Sequence, residues 1–236
     1  MVKSELIRRS PLRIFEKSIH GGLGKGNIGV VASRKGVGKT ATLVHIATDK
    51  LLRGKHVIHV SFSSRVDHII TWYEDIFREI ARKRDLEAAV DVHDELVKNR
   101  VIMNFRQEGL KTGHILKSLR AMIQDGNFAA DCVIFDGYDL EIAEAEDLRA
   151  IEEFARQIDL EVWFSISLKG DEPLYDERGI PNILLPYMDS LAVVITLLYS
   201  GDFVHLRVVK DHETIDLKEM NLKLDPKTLL IAELAD

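Results

Sequence analysis

The sequence predicts an α/β fold: a mainly parallel sheet flanked by helices, ending in a C-terminal antiparallel hairpin. Three observations lead there. Short runs rich in Val and Ile alternate with longer helical patterns, the rhythm of a parallel sheet with crossover helices. A glycine-rich, basic corner, "SRKGVGKT" (33–40), separates the first such run from a helical stretch. Near the end, two apolar runs flank Ser200, Gly201 and Asp202, the residue types of a tight turn.

Taken in order, the expected strands are 27–32 ("NIGVVA"), 56–62 ("HVIHVSF"), 100–105 ("RVIMNF"), 131–136 ("DCVIFD") and 160–167 ("LEVWFSIS"). Helices are expected over 38–53, 66–82, 85–98, 110–125 and 143–158. In the last of these Leu148, Ile151, Phe154, Ala155 and Ile158 recur at spacings of three and four, giving one stripe to face the sheet. The polar stretch 168–182, "LKGDEPLYDERGIPN", carries Gly and Pro and reads as a long surface loop. The stretch 190–213, "SLAVVITLLYSGDFVHLRVVKDHE", follows as a hairpin, and "LKLD" and "LLIAEL" complete the sheet as antiparallel edge strands.

A length of 236 residues suits a single α/β domain over 1–236, with 1–17 as a basic N-terminal arm. Hydrophobic residues at 46% and charged residues at 30% exclude a disordered or fibrous chain, and a net charge of −6 gives no overall pull toward nucleic acid. Cys132 is the sole cysteine, so no intramolecular disulfide can form and a cytoplasmic location is expected. No stretch approaches the roughly 18 apolar residues of a membrane span, so no membrane partner is expected. Residues 1–26 hold six Lys or Arg against two Glu. That basic segment reads as a solvated extension; DNA contact through it is conceivable but unsupported, because aromatic stacking residues are sparse there. The nine histidines show no metal-ligand spacing, and His56 and His59 fall on opposite faces of an expected strand, so no zinc site is expected.

The chemistry concentrates in the corner. Against the phosphate-loop pattern G-x-x-x-x-G-K-[ST], the chain reads Ser33, Arg34, Lys35, Gly36, Val37, Gly38, Lys39, Thr40, and all but the first residue fit. Its glycines let successive backbone N–H groups curl around phosphate oxygens, and the next helix adds its positive dipole end. Ser33 to Thr40, with Ala41 in the first helical turn, are therefore the candidate nucleotide cradle. Lys39 is placed to reach the β and γ phosphates and Thr40 to ligate Mg2+. A magnesium nucleotide also needs a carboxylate from the end of a neighbouring buried strand, and Asp136 ends "CVIFD".

These residues carry a resemblance. "IHGGLGKGNIGVVASRKGVGKT" resembles the glycine-rich approach to the first strand and phosphate loop in RecA-like ATPases of the KaiC, RadA and replicative hexameric helicase branch. Ser33-Arg34 is similar to the Ala-Arg common in those helicases. "DLRAIEEFARQIDLEVWFSIS" and the hairpin at 190–213 resemble the branch's helix before the fourth core strand and its C-terminal hairpin. The likeness runs from about residue 18 onward and implies a three-layer α/β/α fold that binds ATP or ADP with Mg2+. Base specificity for ATP over GTP rests on it, and so does the expectation of a homo-oligomer. Two other phosphate-loop classes fit less well: Arg34-Lys35 stands where ParA/MinD proteins have Lys and Gly, and Asp139 and Leu168 break the GTPase motifs.

Three positions depart from the family pattern. Where the helicases carry a water-positioning Glu after the second strand, this chain has Ser61-Phe62-Ser63-Ser64, with Ser63 in the acid's place; Asp67, four residues on, is the remaining candidate acid. Where a Gln senses the γ phosphate, the chain has Ser167-Leu168, leaving Ser167 as the candidate sensor. In the Lys-x-Arg pair that reaches a neighbour's nucleotide, Lys210 matches and His212 replaces Arg. All three departures fall on hydrolysis rather than binding. The sequence thus points to a Mg-ATP-binding switch or assembly module with weak hydrolysis at most. An active ATPase working on DNA, as a helicase or recombination accessory, is the alternative; a scaffold holding a merely structural nucleotide is a third.

Overall fold

The computed structural model describes residues 2–63, 67–83, 89–106, 111–171 and 173–234. Ser64, the expected helix starts at Val66 and 85–88, and Leu110 lie outside them. Two short helices open the chain, α1 (Val2–Arg8) and α2 (Leu12–Ser18). An alternating series follows: β1 (Ile28–Arg34), α3 (Lys39–Leu52), β2 (Val57–Ser61), α4 (Asp67–Lys83), α5 (Ala89–Lys98) and β3 (Arg100–Asn104). Next come α6 (Thr112–Arg120), β4 (Cys132–Asp136), α7 (Ala145–Ile158) and β5 (Glu161–Leu168). The antiparallel end comprises β6 (Val193–Ser200), β7 (Phe203–Asp211), β8 (Thr214–Leu224) and β9 (Ile231–Glu233).

All nine described strands form one sheet in the order β3-β2-β4-β5-β1-β6-β7-β8-β9, parallel from β3 through β6 and antiparallel beyond. Alternate residues of each central strand enter one of two apolar cores. Val31, Ile134, Trp163 and Ile195 meet α2 to α5 on one face; Val30, Phe135, Phe164 and Val194 meet α6 and α7 on the other. A strand buried on both faces is apolar at most positions, which is why the runs were readable. Gly29 pairs in register with Trp163 and makes room for it: a Cβ there would sit 2.6 Å from the indole Cε3 and Cζ3.

The N-terminal arm corrects the expectation of a solvated extension. Leu6, Leu12, Phe15 and Ile19 are buried in the same core as α3, and the Phe15 ring lies 5.9 Å from that of Trp163. Several of its cations are paired within the chain: Lys3 with Glu95, Arg13 with Glu16 and Asp49, while Arg53 of α3 reaches back to Glu16 at 2.7 Å. Burying such apolar side chains contributes about 1.5–3 kcal/mol each, far more than solvation of a basic tail offers. The arm is therefore a packed part of the domain, with Arg8 and Lys17 exposed at its surface.

Two more expectations change. The 168–182 stretch is anchored: Leu174 and Ile180 are buried, and the Asp176 carboxylate accepts from the backbone N–H of Arg178 and Ile180. It leads into a 3-10 segment, Asn182–Ser190, that holds Pro186 and buries Leu184 and Tyr187. The strand β8 is longer than expected, since it begins at Thr214, ten residues before its apolar end at Leu224, and β9 is shorter than the expected apolar run. The first six residues of β8 are exposed, and the alternation of Ile215 and Leu217 falls out of phase with that of Met220, Leu222 and Leu224, so the stretch does not read as one strand. No helix among the described residues is long and apolar enough to cross a membrane.

Candidate functional site

The corner between β1 and α3 is a strand–loop–helix turn whose chirality needs glycine. Gly36 and Gly38 have φ of +84° and +119°, in the region L side chains rarely adopt, and Gly38 caps α3. A Cβ on Gly38 would strike the Leu224 side chain, so β8 also closes against the loop. Arg34, Lys35 and Gly36 are exposed, Val37 and Gly38 half-buried, and Ser33, Lys39 and Ala41 buried.

Lys39 turns back over the loop. Its Nζ donates to the carbonyls of Ser33 (3.0 Å) and Arg34 (2.9 Å) and approaches Ser33 Oγ at 3.4 Å. Burial pushes its ammonium down to about 8, against the pull of Asp136. The cation is thus held by neutral carbonyls, poor partners for a buried charge.

Asp136 ends β4, two strands from β1 with β5 between them. Thr40 Oγ1 donates to the Asp136 carboxylate at 3.1 and 3.0 Å, and Ser165 Oγ donates to Oδ1 at 2.5 Å. Ser165 in turn accepts from the Gly137 N–H at 2.8 Å. The His59 Nε2 edge stands 3.8 Å from Oδ2, longer than a hydrogen bond, while its Nδ1 meets the Tyr73 hydroxyl at 3.0 Å. Burial works to raise the Asp136 carboxyl; the His59 imidazole and the Ser165 and Thr40 hydroxyls outweigh it and hold the group below the usual carboxylate range. A buried, ionised carboxylate beside a threonine hydroxyl is an all-oxygen donor pair suited to a hard divalent cation.

No protein-family model matches the chain, and no curated protein matches it. The geometry therefore carries the case for the site by itself.

Of the residues expected from sequence, Ser33, Lys39, Thr40 and Asp136 converge. Ser167 pairs in register with Ser33 and is half-buried, but it is Ser165, two residues earlier on the same face, that meets Asp136. Asp67 opens α4 and is exposed; Ser63, at the end of β2, is exposed as well. Lys210 lies in register with Val194, which pairs with Val30, so it sits toward the opposite end of the sheet from the loop. Its Nζ donates to Met188 O at 2.6 Å, and desolvation by burial pulls its ammonium down. Sequence reasoning missed His59 and Tyr73, whose proximity to Asp136 exists only once β2 is placed beside β4.

Two concavities lie outside this site. One of about 590 Å³ opens beside Phe62, Thr112 and Tyr138, where Phe62, Phe135, Tyr138 and Phe164 pack as an aromatic cluster. Another, of about 820 Å³, lies between the N-terminal arm, α3 and β9. It has no glycine-lined backbone corner, so it lacks the features that make the β1–α3 turn a phosphate site.

Proposed function

We propose that the chain is a RecA-like P-loop protein that binds Mg-ATP and acts as a nucleotide-dependent switch or assembly module, hydrolysing slowly at most. One observation carries this reading: Thr40 is hydrogen-bonded to a buried, ionised Asp136 directly beside an ammonium that rests on its own loop's carbonyls. A triphosphate tail gives Lys39 anionic partners in place of neutral ones, and the N-terminus of α3 supports the same charge. Thr40 and Asp136 would hold Mg2+, which supplies charge neutralisation to the phosphates when bound. Ser165 orients the carboxylate through its hydrogen bond, and the His59 imidazole, held by Tyr73, faces it at 3.8 Å.

The order of strands supports a RecA-like assignment over a simple βα turn, because β5 is inserted between the loop strand and the Asp136 strand. Weak hydrolysis is expected because the segment after β2 has Ser63 where the resembled family carries a carboxylate to activate water. Lys210 stands too far along the sheet to serve its own loop, so any contact it makes with nucleotide is across a homo-oligomer. The active DNA-dependent ATPase remains the competing reading, with exposed Asp67 as the acid. An ATP turnover assay with and without single-stranded DNA separates them. Turnover well below about 1 per second in both conditions fits the switch; turnover above that, lost in Lys39→Ala, favours the enzyme.

A further inference from the structure

At the other end of the sheet, the segment after α2 meets the end of β7. His20, Asp211 and His212 each offer one ligand atom there, all within 4.8 Å of one another. His20 Nδ1 faces Asp211 Oδ2, and His212 Nδ1 faces Asp211 Oδ1 at 2.7 Å. Asp211 is buried, and both of its oxygens point at imidazole nitrogens. His212 Nε2 faces the Leu23 carbonyl at 3.2 Å. A carbonyl can only accept, so in the neutral ring Leu23 fixes the proton on Nε2 and leaves the Nδ1 lone pair pointing at an anionic oxygen. A cation resolves that pairing, either a second ring proton that makes His212 an imidazolium or a bound metal ion. An imidazole that gives its far N–H to a backbone carbonyl while its near nitrogen joins a carboxylate and a second imidazole is the arrangement of a metal-bound histidine.

The backbone supports the same reading. His20 and His212 both adopt left-handed conformations, φ of +48° and +53°, and the His212 N–H is tied to Ala192 O at 2.6 Å. These bends bring the rings to Asp211. Ligands around a tetrahedral ion with bonds of about 2.0–2.2 Å stand roughly 3.3–3.6 Å apart, wider than the 2.7 Å between His212 Nδ1 and Asp211 Oδ1, so the rings draw back by about 1 Å to admit the ion. A groove of about 280 Å³ lined by Lys17, Thr214 and Asp216 adjoins them, with room for water as a fourth ligand.

We propose that His20, Asp211 and His212 form a binding site for one Zn2+ ion or a similar borderline divalent metal, which clamps the N-terminal arm to the antiparallel strands. Two nitrogen donors and one carboxylate suit zinc, cobalt or nickel rather than magnesium. Sequence spacing gave no hint because 191 residues separate His20 from Asp211. The site lies away from the phosphate loop and does not depend on nucleotide binding.

The test is titration of the metal-stripped full chain with Zn2+ in excess Mg2+ and without nucleotide, with Co2+ as a spectroscopic substitute. The expected result is one equivalent bound, visible Co2+ ligand-field bands and a rise in melting temperature. Affinity should fall at least about tenfold in His20→Ala and in Asp211→Asn, and stay unchanged in His114→Ala. The His20 side chain is 76% exposed, so His20→Ala keeps the fold and is the deciding variant. Absence of saturable binding, or equal binding by the wild type and His20→Ala, overturns the proposal.

Discussion

If Lys39 is the phosphate ligand, affinity for Mg-ATP must fall as the pH passes the free protein's ammonium value. Burial holds that value at about 8, whereas a bound triphosphate favours the cation and returns it to the ordinary range near 10.5 or above. Binding then takes up a proton whenever the free side chain is neutral. With a free value of about 8, the protonated fraction drops from roughly 0.76 at pH 7.5 to 0.09 at pH 9, so affinity weakens about eightfold, or about 1.2 kcal/mol. Titration calorimetry in buffers of different ionisation enthalpy measures both quantities, with uptake of about 0.9 proton expected at pH 9. Cys132, whose thiol burial pushes up to about 12, does not titrate in this window. The fold itself responds with the opposite sign. Because the folded value is lowered, the unfolded chain holds more protons between about pH 8 and 10.5, and the free protein gains stability as pH rises through that range. An affinity that stays level from pH 7.5 to 9, or an equal slope in Lys39→Met, refutes the reasoning.

Asp136→Asn should lower the melting temperature by about 3–10 °C at neutral pH, since hydrogen bonds to a buried charge contribute about 1.5–3 kcal/mol. The folded carboxyl lies below its usual value, so its stabilisation is present above about pH 4 and lost as pH falls further; the variant should show a shallower acid limb in pH-dependent melting. Gly29→Ala should destabilise by about 1–3 kcal/mol in urea unfolding, because its Cβ runs into the Trp163 ring, whereas Gly113→Ala, in α6 with open space around it, should show no such loss. Phe15→Ala should cost about 3–5 kcal/mol by the same measurement; a loss under about 1 kcal/mol would return the arm to the status of a solvated tail.

Much of this fold was legible because its central strands are buried on both faces. The runs at 28–34, 57–61, 132–136 and 161–168 needed no partner to be recognised, and the helix at 145–158 declared itself by one apolar stripe. Legibility failed where burial and composition part company. The arm looked polar because Arg8, Arg9, Arg13 and Lys17 surround the few apolar residues that anchor it. In the first half of β8 Ile215 and Leu217 stay exposed, and their alternation shifts phase before Met220, Leu222 and Leu224, so no single stripe runs the length of the strand. In the site, Lys39 and Thr40 were given by spacing along one loop, and Asp136 by its place at the end of an apolar run. Ser165, His59 and Tyr73 were not, because they reach Asp136 through the order of strands, which residue spacing does not encode. The His20, Asp211 and His212 cluster shows the same limit over a longer distance.

The central claim is that the β1–α3 corner holds a triphosphate against Mg2+. Calorimetry of the full chain with ATP, with and without Mg2+, tests it most directly. The account predicts a single saturable site, tightened by Mg2+, accompanied by a higher melting temperature and weakened at least tenfold in Lys39→Met. No heat and no change in melting at millimolar Mg-ATP would contradict it.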